Sequence, residues 1–133
     1  MFIQAPTVGP IIGAVGTNNA RIWARGDLAK NDRCFGVARI RRAGVAGFGP
    51  AKIFKMKPVF DFTGIVNFDN LVANQRYDYQ VGYFFGGGDL ANVTIDWRDA
   101  TAGTFKIAVK NSSDDLSFVF GSCRYLLRLF GGS

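Results

Sequence analysis

The side chains that could do chemistry in this chain are few in kind. Its 133 residues contain no histidine, and all ten acidic residues are aspartate. The lack of histidine excludes a Ser-His-Asp or Cys-His active site, a histidine general base and any zinc site with imidazole ligands. The two cysteines, Cys34 and Cys123, form no CxxC pair and are too few for a disulfide scaffold or a structural zinc site. We interpret them as two buried thiols, with one long-range disulfide as the alternative.

Basic side chains offer a second kind of chemistry, because 16 Lys and Arg against 10 Asp give a net charge of +6. Six of them form what we call the basic band: Arg39, Arg41, Arg42, Lys52, Lys55 and Lys57. Such charge, combined with aromatic rings, can bind nucleic acid, but it also keeps the solvent faces and edges of a sheet soluble. Because no nucleic-acid motif accompanies the band, we do not expect nucleic acid as a partner. An autonomous basic module that binds nucleic acid or an acidic glycan is kept as the alternative function.

Two further segments have residue types that invite a functional reading. In Ala20–Arg25, the residues Arg21, Trp23 and Arg25 share one face of an alternating pattern. This face is either an interface patch, since Trp and Arg favour interfaces, or, as we slightly prefer, a surface Trp stacked by arginines. The glycine-rich stretch Gly86–Asp89 lacks the Lys-Ser/Thr that completes a phosphate-binding loop, so we expect only a hairpin turn there.

The elements that position these residues are predicted to be strands. Seventeen Gly and thirteen Phe, with no Glu, favour strands joined by turns over helices. The alternation of apolar and polar residues is clearest in Val59–Phe68, where Ile65 is an exception on the polar face. The predicted strands are Ile11–Val15, Ala20–Arg25, Arg33–Arg42, Val59–Phe68, Arg76–Phe85, Ala91–Trp97, Gly103–Val109 and Leu116–Phe120. Short strands at this spacing predict an all-β, antiparallel β-sandwich. No apolar run is long enough for a membrane span.

One local pattern refines this fold class. Leu71 is followed six residues later by Tyr77, and then by Tyr79 and Val81. The pattern resembles the corner that leads into strand F of fibronectin type III-like domains, where a core tyrosine bonds through its hydroxyl to nearby backbone. The proline that the family usually has two residues after the leucine is replaced here by Ala73. The resemblance implies an immunoglobulin/fibronectin type III-like β-sandwich.

A set of three segments resembles a particular enzyme family. Gly9–Val15 and Ala20–Arg25 near the start, with Phe118–Arg124 near the end, are similar to the alkaline phosphatase D (PhoD-like) family. Members of that family have an N-terminal fibronectin-like sandwich followed by a metallophosphatase domain whose first strand ends in a Ser-Cys pair. The resemblance implies a metal-dependent hydrolysis of phosphate esters in a longer parent protein, in a secreted or periplasmic location.

The resemblance also implies that the metals and the catalysis belong to the downstream domain. It maps the metal-ligating cysteine of that family, a thiolate on iron, to Cys123. Iron, with calcium or another divalent metal, would be bound in the parent, where the remaining ligands come from residues after Ser133. One thiolate cannot hold a metal centre. We therefore expect this chain to bind no cofactor by itself, to be inactive, and to act as a non-catalytic accessory domain.

The expected domain organisation follows from these assignments. Residues 1–110 are predicted to form the sandwich, 111–115 a polar linker, and 116–133 the truncated start of the metallophosphatase domain. The expected partner is that downstream catalytic domain of the same chain. Without it, the apolar strand Leu116–Phe120 and the residues up to Phe130 would be an adhesive edge, which predicts either disorder or self-association through this C-terminal stub.

Overall fold

The computed structural model describes residues 1–13, 15–27, 33–86 and 93–109, and the account below concerns these ranges. They contain one short 3₁₀ helix, Pro58–Phe60, and otherwise strands and connections. The strands are β1 (Val8–Gly13), β2 (Ala20–Arg25), β3 (Cys34–Arg42), β4 (Lys52–Met56), β5 (Thr63–Phe68), β6 (Arg76–Phe85) and β7 (Thr101–Lys106).

The strands form two sheets that face each other. One has three strands in the order β1-β2-β5, and the other has four in the order β4-β3-β6-β7. Every pairing within these sheets is antiparallel. The predicted antiparallel β-sandwich is therefore confirmed.

The core between the sheets comes from the alternate residues that point inward. Its buried residues are Ala20, Ile22, Ala24, Cys34, Ala38, Met56, Phe62, Val66, Phe68, Tyr77, Val81, Tyr83, Phe105 and Ile107. Cys34 is a free thiol whose Sγ lies 3.8 Å from Sδ of Met56. The buried-thiol interpretation is thus confirmed for Cys34. Burial raises the pKa of this thiol, because the thiolate would lose its hydration.

The tyrosine corner is present as predicted. Tyr77 is 5% exposed, and its hydroxyl accepts a hydrogen bond of 2.9 Å from the backbone N–H of Val72. The ring of Tyr77 stacks on that of Phe105, with the centroids 5.7 Å apart. The corner thus ties the connection before β6 to the core and identifies the sandwich as fibronectin type III-like.

Three predictions about the strands need correction. The segment Val59–Phe68 is not one strand, because Pro58 opens a 3₁₀ turn and both Asp61 and Phe62 have positive φ, so β5 begins only at Thr63. Phe60 consequently lies outside the core, with 61% of its surface exposed.

The other two corrections concern β4, which is a strand that was not predicted, and residues 93–97, which were predicted to be part of a strand and are not. The strand β4 was not predicted, because its two lysines hide the alternation, as is common in edge strands. Residues 93–97 form no strand; their only ladder contact is a single bridge from Asp96 to Phe2. Most of the expected Gly86–Asp89 turn, the 111–115 linker and the 116–133 stub lie outside the described residues.

Candidate interaction surface

The strand β2 turns Arg21, Trp23 and Arg25 away from the core, as predicted. Its other side chains are completely buried, while these three are exposed or half-buried. The outer face of the three-stranded sheet therefore has an aromatic ring with an arginine two residues away on each side.

Neighbouring strands extend this ring into an apolar row. Trp23 is paired with Ile11 of β1 and with Ile65 of β5. Directly opposite residues have neighbouring side chains on the same face of a sheet, so the three lie side by side. Ile11 is 55% exposed and Ile65 is 58% exposed. We call the surface formed by Ile11, Arg21, Trp23, Arg25 and Ile65 the Trp23 face.

The backbone of β1 makes room for the tryptophan. The register of β1 shifts between Val8 and Ile11, and Gly9 has a φ of +89°, a conformation that favours glycine. A Cβ at Gly9 would lie 3.4 Å from Cε3 of Trp23, so the indole lies against the backbone there. The register shift and the lack of a side chain at Gly9 thus leave room for the indole against β1.

The arginines of the Trp23 face do not stack on its ring. Arg25 instead pairs with Asp61: Nη2 lies 3.2 Å from Oδ2, and Nε donates a 3.1 Å hydrogen bond to the backbone carbonyl. In the described ranges, no cation–π contact involves Trp23, so the preferred expectation of an arginine-stacked tryptophan is wrong. The geometry is that of an apolar row across the three strands, flanked by an arginine on either side of Trp23 along β2.

A groove adjoins the Trp23 face at the seam between β4 and β5. It has a volume of about 360 Å³ and is lined by Lys55, Lys57, Phe60, Thr63, Gly64 and Ile65. Beside it, Val59 is 79% exposed. The apolar surface thus continues from Ile65 to the 3₁₀ turn. Ile65 was not assigned to a functional surface in the sequence analysis. An apolar residue on the otherwise polar face of a predicted strand was the signal that could have identified it.

The basic band does not form a free cationic surface. Arg39 is sandwiched between Phe48 and Trp97, at 4.4 and 4.2 Å from the ring centroids, and Nε of Arg39 donates to Oε1 of Gln80 at 2.7 Å. Burial, with Arg41 nearby, lowers the pKa of Arg39. Arg41 also lies over the Phe48 ring, 4.3 Å from its centroid. These guanidinium groups hold the loop that contains Phe48 against the sheet.

Arg41, Lys52 and Lys55 make further contacts, and the two lysines lie on different faces of the sheet. Arg41 makes a 3.0 Å ion pair with Asp78. Lys52 donates through Nζ to the carbonyl of Asn67, and Lys55 lies over the ring of Phe35. Lys52 is in register with Ala38 on the core side of β3, whereas Lys55 is in register with Phe35 on its outer side. The basic residues therefore do not converge on one binding surface.

The predicted metal ligand is not among the residues that the structure describes. Cys123 lies in the range 110–133, outside them. Within the described ranges, no three His, Cys, Asp or Glu side chains are grouped so that they could hold a metal ion. The iron and calcium implied by the family resemblance thus stay predictions for a longer protein. In the same ranges, no helix is long and apolar enough to cross a membrane.

Comparison with known proteins supports the fold and leaves the family open. No family model matches the sequence, and no curated protein matches it. The chain is similar to a solved structure from the computer-based redesign of a β-sandwich protein: the TM-score is 0.55 at 11% identity, covering 80% of this chain and 97% of that one. It is also similar to the fn3 domain of human contactin 1, with a TM-score of 0.46, 17% identity and 82% of each chain covered.

Proposed function

We propose that this β-sandwich is a non-catalytic accessory domain that docks, through the Trp23 face, onto a catalytic domain following it in the same chain. The catalytic domain is proposed to be a PhoD-like metallophosphatase, on the resemblance of Gly9–Val15, Ala20–Arg25 and Phe118–Arg124 to that family. The observation that carries the docking role is the apolar row in which exposed Ile11 and Ile65 lie on either side of half-buried Trp23.

The chemistry of the Trp23 face suits a protein partner. Interface centres are enriched in aromatic residues and arginine, and apolar rows of this kind are costly to leave in water. Covering the exposed halves of Ile11 and Ile65 would contribute about 1 kcal/mol each. Arg21, which is exposed, adds a charge that a carboxylate on the partner would complement.

The last described residues lie beside the three-stranded sheet, which supports docking of a following domain there. The backbone N–H of Ala108 donates to the carbonyl of Gly16 at 3.1 Å, next to the turn that leads into β2. Five extended linker residues span at most about 17 Å, which is also about the length of a six-residue strand such as β2. A domain that begins after the predicted 111–115 linker is therefore within reach of the whole Trp23 face.

The proposed role leaves catalysis to the other domain. This chain has no histidine, and in a PhoD-like parent the bound metals would activate the water that attacks the phosphate ester. Cys123 would supply one thiolate ligand there. The sandwich would stabilise the catalytic domain or shape the access to its site.

The first test is to read the coding sequence past Ser133. A Gly-Asp motif with further Asp residues in the next few dozen codons supports the proposal, and a stop codon contradicts it. In the longer protein, we expect the amides around Trp23 and Ile65 to exchange hydrogen about tenfold more slowly than in the 133-residue chain, because docking would stabilise this sheet against local opening. Equal exchange in both proteins would refute docking at this face.

A matched pair of variants separates docking from general stability. Ile65→Asp places a charge in the Trp23 face, whereas Val45→Asp places one at a residue that is similarly exposed, 51%, in the loop after β3. In the longer protein, only Ile65→Asp should remove the slower exchange. Equal effects of the two variants would contradict the proposed surface.

The activity of the 133-residue chain gives an independent test. It should hydrolyse neither phosphomonoesters nor phosphodiesters with any divalent or ferric ion added, since it lacks most of the ligands. Turnover that survives stringent purification and is lost on Cys123→Ser would overturn the accessory role. Submicromolar, salt-resistant nucleic-acid binding lost on Arg41→Ala and Lys55→Ala would favour the basic-module alternative.

A further inference from the structure

We infer that the edge of β6 beyond the end of β7 is a binding slot for an extended apolar peptide, and that residues Phe2–Gln4 of this chain occupy the slot as a removable insert. This inference is independent of the proposed function, because it concerns the opposite sheet and other residues. It rests on the way in which β6 is paired along its length.

The slot exists because β7 pairs with only the first part of β6. The β6–β7 ladder runs from Arg76 to Val81 on β6, so the edge from Gly82 onward has no partner in β7. Gln4 takes that place: its N–H donates to the carbonyl of Tyr83 and its carbonyl accepts from the N–H of Tyr83, both at 2.9 Å. On its other side the segment meets Asp96, whose N–H donates to the carbonyl of Met1 at 2.8 Å. The segment is thus bound as an added strand.

The side chain of Ile3 supplies the apolar contact of the insert. It is 1% exposed and packs in a cluster with Val37 and Phe84, on the face of the sheet that points away from the main core. Ile95 and Trp97 pack at the border of this cluster. The insert therefore fills a small second core on the outer face of the four-stranded sheet, separate from the core between the sheets.

Gly82 creates the space into which the insert fits. A Cβ at this position would lie 2.7 Å from Cδ1 of Ile3 and 2.8 Å from the carbonyl oxygen of Gln4. Contacts this short do not occur between such atoms, so a side chain at Gly82 would push the strand out. The backbone of β6 and the insert can approach each other only because position 82 is glycine.

These contacts define the class of ligand. The slot takes a peptide strand antiparallel to β6, with a branched aliphatic residue in the position of Ile3. An amide in the position of Gln4 would also be recognised, because the hydroxyl of Tyr83 donates to Oε1 of Gln4 at 3.0 Å. Phe2 is 68% exposed, so its position tolerates other side chains.

The insert is removable because its remaining contacts, at Met1 and Phe2, lie at the surface. The N-terminal ammonium donates to the carbonyl of Thr94 at 2.8 Å, and Arg98 lies over the ring of Phe2, 5.5 Å from its centroid. Ile3 is its one buried side chain, and the next backbone anchor is Thr7, whose N–H donates to the carbonyl of Arg25. A tethered segment has an effective concentration of about 1 mM or more, so the intact chain keeps its own slot closed to free peptides. A peptide in solution is expected to bind only when the insert has been released.

The experiment opens the slot in two ways. One variant lacks residues 1–5, and the other is the full chain with Ile3→Asp, which makes burial of the insert unfavourable. Each is titrated with the synthetic peptide Met-Phe-Ile-Gln-Ala, and the amide signals of Tyr83 and Asp96 are followed by NMR. We expect saturable binding to both variants and clearly weaker binding to the unaltered chain, in which the tethered insert competes for the slot. A peptide with Asp in place of Ile should bind at least about tenfold more weakly.

The control closes the slot without adding a charge. In Ile3→Asp combined with Gly82→Ala, the peptide should no longer bind, although the sheets remain folded. The absence of saturable binding to either opened variant at about 5 mM peptide, several times the effective concentration of a tether, overturns the proposal. Global unfolding of either opened variant also overturns it, because the insert would then be an integral part of the core.

Discussion

Replacing Tyr77 with phenylalanine would remove a single oxygen atom from the tyrosine corner. The hydroxyl is the acceptor for the backbone N–H of Val72 at 2.9 Å, and the residue is 5% exposed. The phenylalanine ring would keep the stacking contact with Phe105. The N–H of Val72 would lose its acceptor in a partly buried position, which costs about 1–2 kcal/mol of the free energy of unfolding.

This cost can be measured by equilibrium unfolding. For a chain of this size, about 1–2 kcal/mol corresponds to a melting temperature lower by roughly 4–8 °C. In urea, the midpoint should fall while the slope of the free energy against urea concentration stays unchanged, because the same surface is exposed on unfolding. The fluorescence of Trp23 and Trp97 reports the transition.

Tyr79→Phe is the matched control. Tyr79 lies on the same strand, and its ring also contacts Phe105, with the centroids 6.2 Å apart. Its hydroxyl makes no hydrogen bond within the part of the chain that the structure describes, so its loss should change the stability by less than about 0.5 kcal/mol. Equal losses for the two variants, or no loss for Tyr77→Phe, would show that the corner hydrogen bond does not stabilise the fold.

Three further predictions follow from burial, charge and protonation. Ile22→Ala should lower the free energy of unfolding by about 2–5 kcal/mol, because Ile22 is completely buried. Ile65→Ala on the Trp23 face should lower it by less than about 0.5 kcal/mol. Similar melting temperatures for the two variants would contradict this difference. Asp61→Asn should change the free energy of unfolding by less than about 0.5 kcal/mol, because the ion pair of Asp61 with Arg25 lies at the surface and Asn tolerates the φ of 57°. Asp61→Val should be clearly less stable in the same urea titration, because a β-branched residue does not tolerate this φ. Burial raises the pKa of Cys34, so the stability that its protonated thiol contributes is complete below the ordinary pKa of 9.0 and is lost as the pH rises through the raised value. Urea midpoints measured from pH 7 to about 10.5 should therefore fall less steeply with pH for Cys34→Ala than for the unaltered chain. Identical slopes would contradict a raised pKa for this thiol.

The sequence by itself determined the strands with one apolar and one polar face. The segments Ala20–Arg25 and Arg76–Phe85 were predicted with the bounds that the structure has. A shift of one residue would move every apolar side chain of such a strand into water, so the alternation alone specifies them. The tyrosine corner was predictable for a related reason, because Leu71 and Tyr77 are only six residues apart and their contact is local.

Only the tertiary structure decided which strands lie beside each other and what their outer faces carry. The Trp23 face requires Ile65, which is far from Trp23 in the sequence and reaches it through the β2–β5 pairing. The place of Phe2–Gln4 along β6 likewise depends on where β7 ends. Local alternation contains no information about pairing between distant segments, because that choice depends on the burial of the whole core and on chain topology. The apolar row of the Trp23 face and the place of Phe2–Gln4 beside β6 are products of those pairings.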